Sequence, residues 1–356
     1  MNLITLLLFS AMPLAQDQKP VEKSTTVFGR LQSDFTLGHK EGAGEGVEFR
    51  RVRMGVKGDL SEGNSYKVEV DFGSGEDASD GDQDAKFADA YLKMEGLLPA
   101  SVTVGHFKEP MGLDEMTSSR FITFMERSIT SGWAPFRNHG IMLSNSTDAM
   151  TWQFGYFYDS DPYGAGNDEN ATSLAGRFVY RPSYAAKGKN LVHLGLSWNT
   201  RDGSKEIKFY PGSHLTGSEA LTVADPTTIG IELAWTDGPL SIMAESLSAK
   251  GDVSGNTAAG TSIQASWFMG DQHRAYKTSS GAFDRVKGAD AGAWEVAARH
   301  GSWDFSEFGG ASESSLAIGL NWYIDKYTRI MVDTTQIERE AGASESVAAV
   351  RFAYDF

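Results

Sequence analysis

Between Val104 and Gly140 the chain reads VGHFKEPMGLDEMTSSRFITFMERSITSGWAPFRNHG, which sets Lys108, Arg120, Arg127 and Arg137 among Glu109, Asp114, Glu115 and Glu126. After a strand-like start the stretch has no clear period of two. A loop this long in a compact chain is functional or disordered, and its Phe, Met and Ile content is too high for disorder. A second basic run, EFRRVRMGVKGDL at Glu48–Leu60, supplies Arg50, Arg51, Arg53 and Lys57. A guanidinium donates two parallel hydrogen bonds to phosphate or carboxylate. Such side chains can meet a passing anion, or they can pair with the chain's own carboxylates to brace a wall. For any single residue both uses stay open.

Other chemistries find little support. With no cysteine, disulfides and thiolate metal sites are excluded. The seven histidines are scattered without an i, i+4 pair, so a zinc hydrolase is not expected. Asp77, Asp80, Asp82 and Asp84 resemble a calcium loop but lack the glutamate an EF-hand needs, and read as a solvated outer loop. DFGSG at Asp71–Gly75 has no glycine-rich or catalytic loop to accompany it, and NST at Asn145–Thr147 falls at a turn. No Ser/His/Asp set can be assembled. Neither an enzyme nor a cofactor is expected. The formal charge of −15 argues against a nucleic-acid partner, although a pore or pocket presents its own local sign.

The elements that must position these charges alternate with period two. Leu316, Ile318, Leu320, Trp322 and Ile324 share one face, as do Ile229, Ile231, Leu233 and Trp235, with polar or small residues between them. About sixteen such segments can be counted, many of ten or more residues, longer than most soluble strands. Their number and length fit an all-β transmembrane antiparallel barrel, with short turns on one rim and long polar loops on the other. Trp198, Trp235, Trp267, Trp322 and Tyr158 near strand ends fit interfacial girdles. A soluble two-sheet protein alternates too, with the apolar face hidden. The last strand, SVAAVRFAYDF, ends on Phe356 and favours the barrel. The opening MNLITLLLFSAMPLAQDQ has an apolar run too short to span a bilayer, so residues 1–15 are expected to be a signal peptide and 16–356 a single barrel domain.

With these segments, FADAYLKMEGL at Phe87–Leu97 and FKEP followed by TSSRFITFMER, the chain resembles the phosphate-selective porin O and P family, most strongly over about residues 46–145. The resemblance implies a homotrimer of sixteen-stranded barrels in the bacterial outer membrane, bathed in lipid and lipopolysaccharide. It also implies a long third loop, about 108–137, folded into each lumen, and Arg and Lys lining an anion path with one lumenal Asp. Phe121, Ile122, Phe124, Met125 and Trp133 would anchor the loop and free Lys108, Arg120 and Arg127 to face water.

Strand parity refines the set. Arg51, Arg53 and Lys57 fall on the lumenal side, and Arg50 on the lipid side, where a mid-bilayer Arg would cost about 2–4 kcal/mol. Ala88, Ala90, Leu92 and Met94 are expected outward, so Asp89, Tyr91 and Lys93 face in, and Asp89 matches the family's lumenal Asp. Arg177, Arg181, Arg299, Arg329 and Arg351 have inner parity. The expected anion pathway is Arg51, Arg53, Asp89, Lys93, Lys108, Arg120 and Arg127, with Arg50, Lys57, Arg177 and Arg181 as secondary lumenal cations. Arg53 stands where phosphate-binding members carry an aromatic residue. The function expected is passive diffusion of phosphate-like or polyphosphate anions. The alternatives are a general porin of mixed charge and a plugged structural or receptor barrel.

Overall fold

The computed structural model describes residues 23–38, 45–73, 85–96, 98–161, 171–216, 220–251, 254–340 and 344–356. The expected signal segment 1–15 and the acidic runs at 77–84 and 167–170 lie outside the described residues. Among the described residues, twenty strands follow in order. The first nine are β1 (Thr26–Gly38), β2 (Gly46–Ser61), β3 (Asn64–Asp71), β4 (Lys86–Met94), β5 (Ser101–Lys108), β6 (Arg137–Ser146), β7 (Met150–Tyr158), β8 (Thr172–Ala185) and β9 (Asn190–Asp202). A short hairpin, β10 (Lys205–Ile207) and β11 (Leu221–Val223), precedes β12 (Pro226–Asp237), β13 (Leu240–Gly251) and β14 (Thr257–Phe268). A second hairpin, β15 (His273–Lys277) and β16 (Ala282–Lys287), precedes β17 (Ala293–Asp304), β18 (Ser312–Tyr323), β19 (Thr328–Glu338) and β20 (Ser344–Asp355).

Sixteen of these strands form one closed antiparallel barrel, sealed where β1 pairs with β20. Closure removes every sheet edge, which is how strands satisfy their backbone groups within a membrane. The outer face carries the apolar parity: Leu316, Ile318 and Leu320 are 51%, 57% and 37% exposed on the isolated chain. A soluble sandwich would bury them. At the seam, Gly29 and Phe356 exchange backbone hydrogen bonds (3.1 and 3.2 Å), and the Phe356 ring lies where a Cβ on Gly29 would reach 2.5 Å. The terminal Phe thus closes over a glycine that makes room for it.

Among the described residues the wall has four register shifts, and two of them bear on the charged face. The β1–β2 register passes from Gln32↔Arg51 to Ser33↔Phe49, leaving Arg50 as the extra residue. Phe49 stays on the lipid side, 56% exposed, while Arg50 and Arg51 both turn inward to Glu126. The lipid-side parity expected for Arg50 is therefore corrected, because a bulge sets two residues of one strand against one of its partner. On β4 the register moves from Glu69↔Asp89 to Val70↔Phe87, so Ala88 is the extra residue. Phe87 is the outward residue there, 42% exposed, and Ala88 is buried, again contrary to simple alternation.

Three connections turn into the barrel. The loop after β5 does so as expected, through one helical turn at Leu113–Met116 and a 3₁₀ turn at Ile129–Trp133. The segment around β10 and β11 packs Ile207, Phe209 and Val223 with Trp133, Trp303 and Phe305. The hairpin β15–β16 is the surprise, since it joins two wall strands on the rim where only short turns were expected. Its Tyr276 and Phe283 pack with Leu113 of the inward loop, and its Arg274 donates to Phe121 O at 2.8 Å. Insertions from the two rims therefore meet inside the lumen.

Candidate functional site

The inward loop is latched by the wall through its backbone. Arg329 donates to Ile122 O and Arg299 to Glu126 O, each at 2.9 Å, and Arg351 donates to Met125 O. Asn321 donates to Thr123 O at 2.9 Å, while Asp333 accepts from Met125 N at 2.6 Å. These partners give a non-repetitive segment the hydrogen bonds that a strand would take from a neighbour. Side chains add the apolar half of the anchor. Ile122, Phe124, Met125 and Trp133 are buried as expected, and Trp133 Nε1 donates to Ala258 O at 2.9 Å. Phe121 is only half-buried and lies under the Arg285 guanidinium, 5.1 Å from ring centre to Cζ.

Between this loop, β2–β7 and the tip of the β15–β16 hairpin lies a cavity of about 300 Å³. Arg53, Asp89, Lys93, Lys108 and Arg127 line it, five of the seven residues expected in the pathway. Arg30, Lys67, Arg137 and Lys277 line it too, and were not in that set. Eight basic side chains thus face two carboxylates, Glu69 and Asp89. Strand alternation could have found three of the additions: Arg30 alternates with outward Val27 and Leu31 along β1, Lys67 shares the inner face of β3, and Arg137 begins β6. Lys277 had no such signal, because its hairpin is not part of the wall.

The remaining two expected residues sit elsewhere. Arg51 is buried between β1 and the loop, donating to Gln32 Oε1 at 2.9 Å and lying 3.9 Å from Glu126. Arg120 lines a separate, narrower slot with Arg285, Tyr323 and Lys326, on the β1–β19–β20 side. Of the secondary cations, Arg50 makes a bidentate pair with Glu126 (2.9 and 3.1 Å) and Lys57 extends over the Phe28 ring at 5.3 Å. Arg177 is fully buried, pairing with Glu232 at 2.6 Å and holding Ser280 O and Gly281 O of the hairpin tip. Arg181 binds the turn carbonyls of Thr147 and Asp148.

Pairing is general, which corrects the expectation that Lys108, Arg120 and Arg127 are freed to face water alone. Lys108 and Arg127 share Glu115 at 2.7 and 3.2 Å, and Arg120 lies 3.6 Å from Glu69. Arg53 pairs with Asp71, Lys93 with Glu95 at 2.8 Å, and Asp89 bridges Lys67 and Arg137. On the loop, burial alone would raise the carboxyl of Glu126, but Arg50, Arg51 and Arg351 hold it well below the usual carboxylate range. Glu115 is likewise lowered, with Arg127 and Lys108 outweighing its burial. These carboxylates stay charged and brace Lys108 and Arg127 on one side and Arg50, Arg51 and Arg351 on the other, while the residues lining the cavity keep an excess of positive groups. Among the described residues no cluster of His, Asp and Glu could hold a metal ion.

A closed sixteen-stranded barrel, apolar outside, with a latched loop beside a basic lumenal cavity, defines an outer-membrane porin. The family model for phosphate-selective porin O and P matches residues 26–356, and the chain belongs to that family. Porin O of Pseudomonas aeruginosa is 24% identical over 361 residues, covering 87% of this chain and 82% of that protein. An uncharacterized protein of Caulobacter vibrioides is 27% identical over 312 residues, covering 79% of this chain but only 60% of its own length. Among solved structures, the anion-selective porin of Comamonas acidovorans superposes with a TM-score of 0.58 at 14% identity, covering 94% of this chain and all of that one. The chain is an integral protein of the outer membrane, and its site belongs to a channel.

Proposed function

We propose that the protein conducts small anions, phosphate-like ones among them, passively across the outer membrane through the cavity beside the inward loop. The observation that carries this reading is the excess of eight basic side chains over two carboxylates around one cavity, in a chain whose formal charge is −15. Clustered Arg and Lys at a constriction replace part of an anion's hydration and repel cations. Arg53, Lys93, Lys108 and Arg127 would form the path with Arg30, Lys67, Arg137 and Lys277, and Asp89 would set the spacing of Lys67 and Arg137. Membership of a family described as phosphate-selective, and likeness to an anion-selective porin, support the sign of the selectivity. Residues 1–15 would direct export, and three copies would assemble in lipid and lipopolysaccharide.

Extensive pairing and the inserted β15–β16 hairpin favour one competing reading, a plugged barrel. Single-channel recording separates the two, because a plugged barrel shows no ohmic steps. In a KCl gradient the reversal potential should take the anion-selective sign, and added phosphate should block chloride current. A cation-selective sign would remove the proposed path.

A further inference from the structure

The inner wall of a water-filled barrel is expected to be polar, yet one patch here is not. Tyr91, Phe107, Met142, Phe157 and Ala175, on five successive wall strands from β4 to β8, form a single apolar cluster. Tyr91 meets Phe107 edge-on at 6.0 Å, and Phe107 meets Phe157 at 5.4 Å. The Phe157 ring lies flat where Gly140 and Gly155 make room, since a Cβ at either position would come within 2.3 or 2.6 Å of it. Among the described residues, every other buried apolar cluster includes a residue of the inward loop or of the segment around the β15–β16 hairpin, and so has an anchoring role. This one is built from wall residues alone. It also reaches the cavity: Tyr91, Phe107 and Met142 line the space that Lys108, Arg127 and Arg137 line, joined by Met116 from the helical turn.

We infer that the cavity takes organic anions in which a phosphate-like group is attached to a flat apolar group, such as an aryl phosphate, in preference to the bare oxyanion. The inference rests on the anion-conducting reading and deepens it. The charged head meets the Lys108–Arg127–Arg137 side, and the ring lies along Tyr91, Phe107 and Met142. Aromatic rings recognise one another edge-on or offset and gain more than burial alone. The cavity of about 300 Å³ is at the lower end of the range that organic ligands occupy. An inorganic anion would leave its apolar side facing water.

The test is block of chloride current in planar bilayers by phenyl phosphate and by methyl phosphate, two monoesters of matched charge. Phenyl phosphate should reach half-block at about one-tenth the concentration of methyl phosphate. Phe107→Leu and, separately, Tyr91→Ser should erase most of that advantage while leaving block by methyl phosphate unchanged, which also reports that the channel has folded. Equal half-block concentrations in the unaltered protein would overturn the inference, as would an advantage that survives both substitutions or block by phenol alone at the same concentration. Failure of the anion-conducting reading looks different: a cation-selective channel that neither ester blocks.

Discussion

Arg351 on the last wall strand lies 2.7 Å from Glu126 on the inward loop, and both side chains are almost wholly buried. The same guanidinium holds Asp34 of β1 at 2.6 Å, so one residue ties the loop to the seam where the barrel closes. Glu126 in turn gathers Arg50 and Arg51 from the β2 bulge. Loop position and barrel closure are therefore coupled through one carboxylate.

Glu126→Gln should deprive Arg50 and Arg51 of their shared carboxylate and leave Arg351 with Asp34 alone. Removing one partner of a buried ion pair costs about 3–5 kcal/mol. The expected result is a lower unfolding midpoint in denaturant, with noisier and larger conductance steps as the loop loosens. Unaltered stability together with unaltered conductance would show that the backbone latches alone hold the loop.

The pH dependence follows from the same group. Because Glu126 and Glu115 are lowered in the folded protein, their contribution is complete above the unfolded carboxylate value of about 4.3 and is lost as pH falls through the lower folded values. The stability difference between the unaltered protein and Glu126→Gln should therefore stay level from neutral pH down to about 4 and shrink only in stronger acid. A transition centred between about pH 5 and 7 would count against this assignment.

The Arg50 bulge makes a prediction that separates register from charge. Deleting Arg50 restores plain alternation, with Phe49 outward, Arg51 inward and Val52 outward, so the barrel should still assemble. Deleting Met54, where β2 has no extra residue to give up, reverses the parity of everything on one side of it and should prevent assembly. Heat-modifiable mobility of the purified proteins on gels reads the difference.

All sixteen wall strands were legible from alternation, because oil on one side and water on the other impose period two on side chains such as Leu316 to Trp322. The silent features are those where that rule lapses. A bulge changes parity without changing composition, so simple alternation sets Arg50 and Ala88 on the wrong faces. The strands β10 and β11 have three residues each and β15 and β16 have five and six, too few for a periodic signal. Partner choice is also hidden, since Glu126 finds Arg50 across 76 residues and Arg351 across 225. The basic run and the loop were visible, whereas which cations line the cavity and which brace the loop depends on those long-range pairs.

Replacing residues 270–291 with a short turn should widen the channel. The hairpin closes the cavity from one rim through Lys277, Ser279 and Ser280, and Arg177 and Arg274 hold it in place. Conductance should rise, while stability falls by roughly 3–5 kcal/mol as Tyr276 and Phe283 leave their cluster with Leu113. An unchanged single-channel conductance would mean that the hairpin lies outside the conducting path.

Lys108 and Arg120 sit on one loop system but face different spaces, which gives a paired test of the proposed route. Lys108 lines the large cavity beside Arg127, with Glu115 between them. Arg120 lines the narrow slot near Phe121 and Arg285, stacked 5.0 Å over Phe28. Lys108→Gln therefore removes a cation from the path and lets Arg127 keep Glu115 to itself. The anion-to-cation permeability ratio should fall several-fold, as expected when one member of a charged constriction is neutralised. Arg120→Gln should change that ratio less than Lys108→Gln does, because Arg120 lines the slot and its charge is already met by Glu69 at 3.6 Å. Reversal potentials measured for both variants under one KCl gradient decide the matter: equal losses would place the slot, and not the cavity alone, on the conducting route.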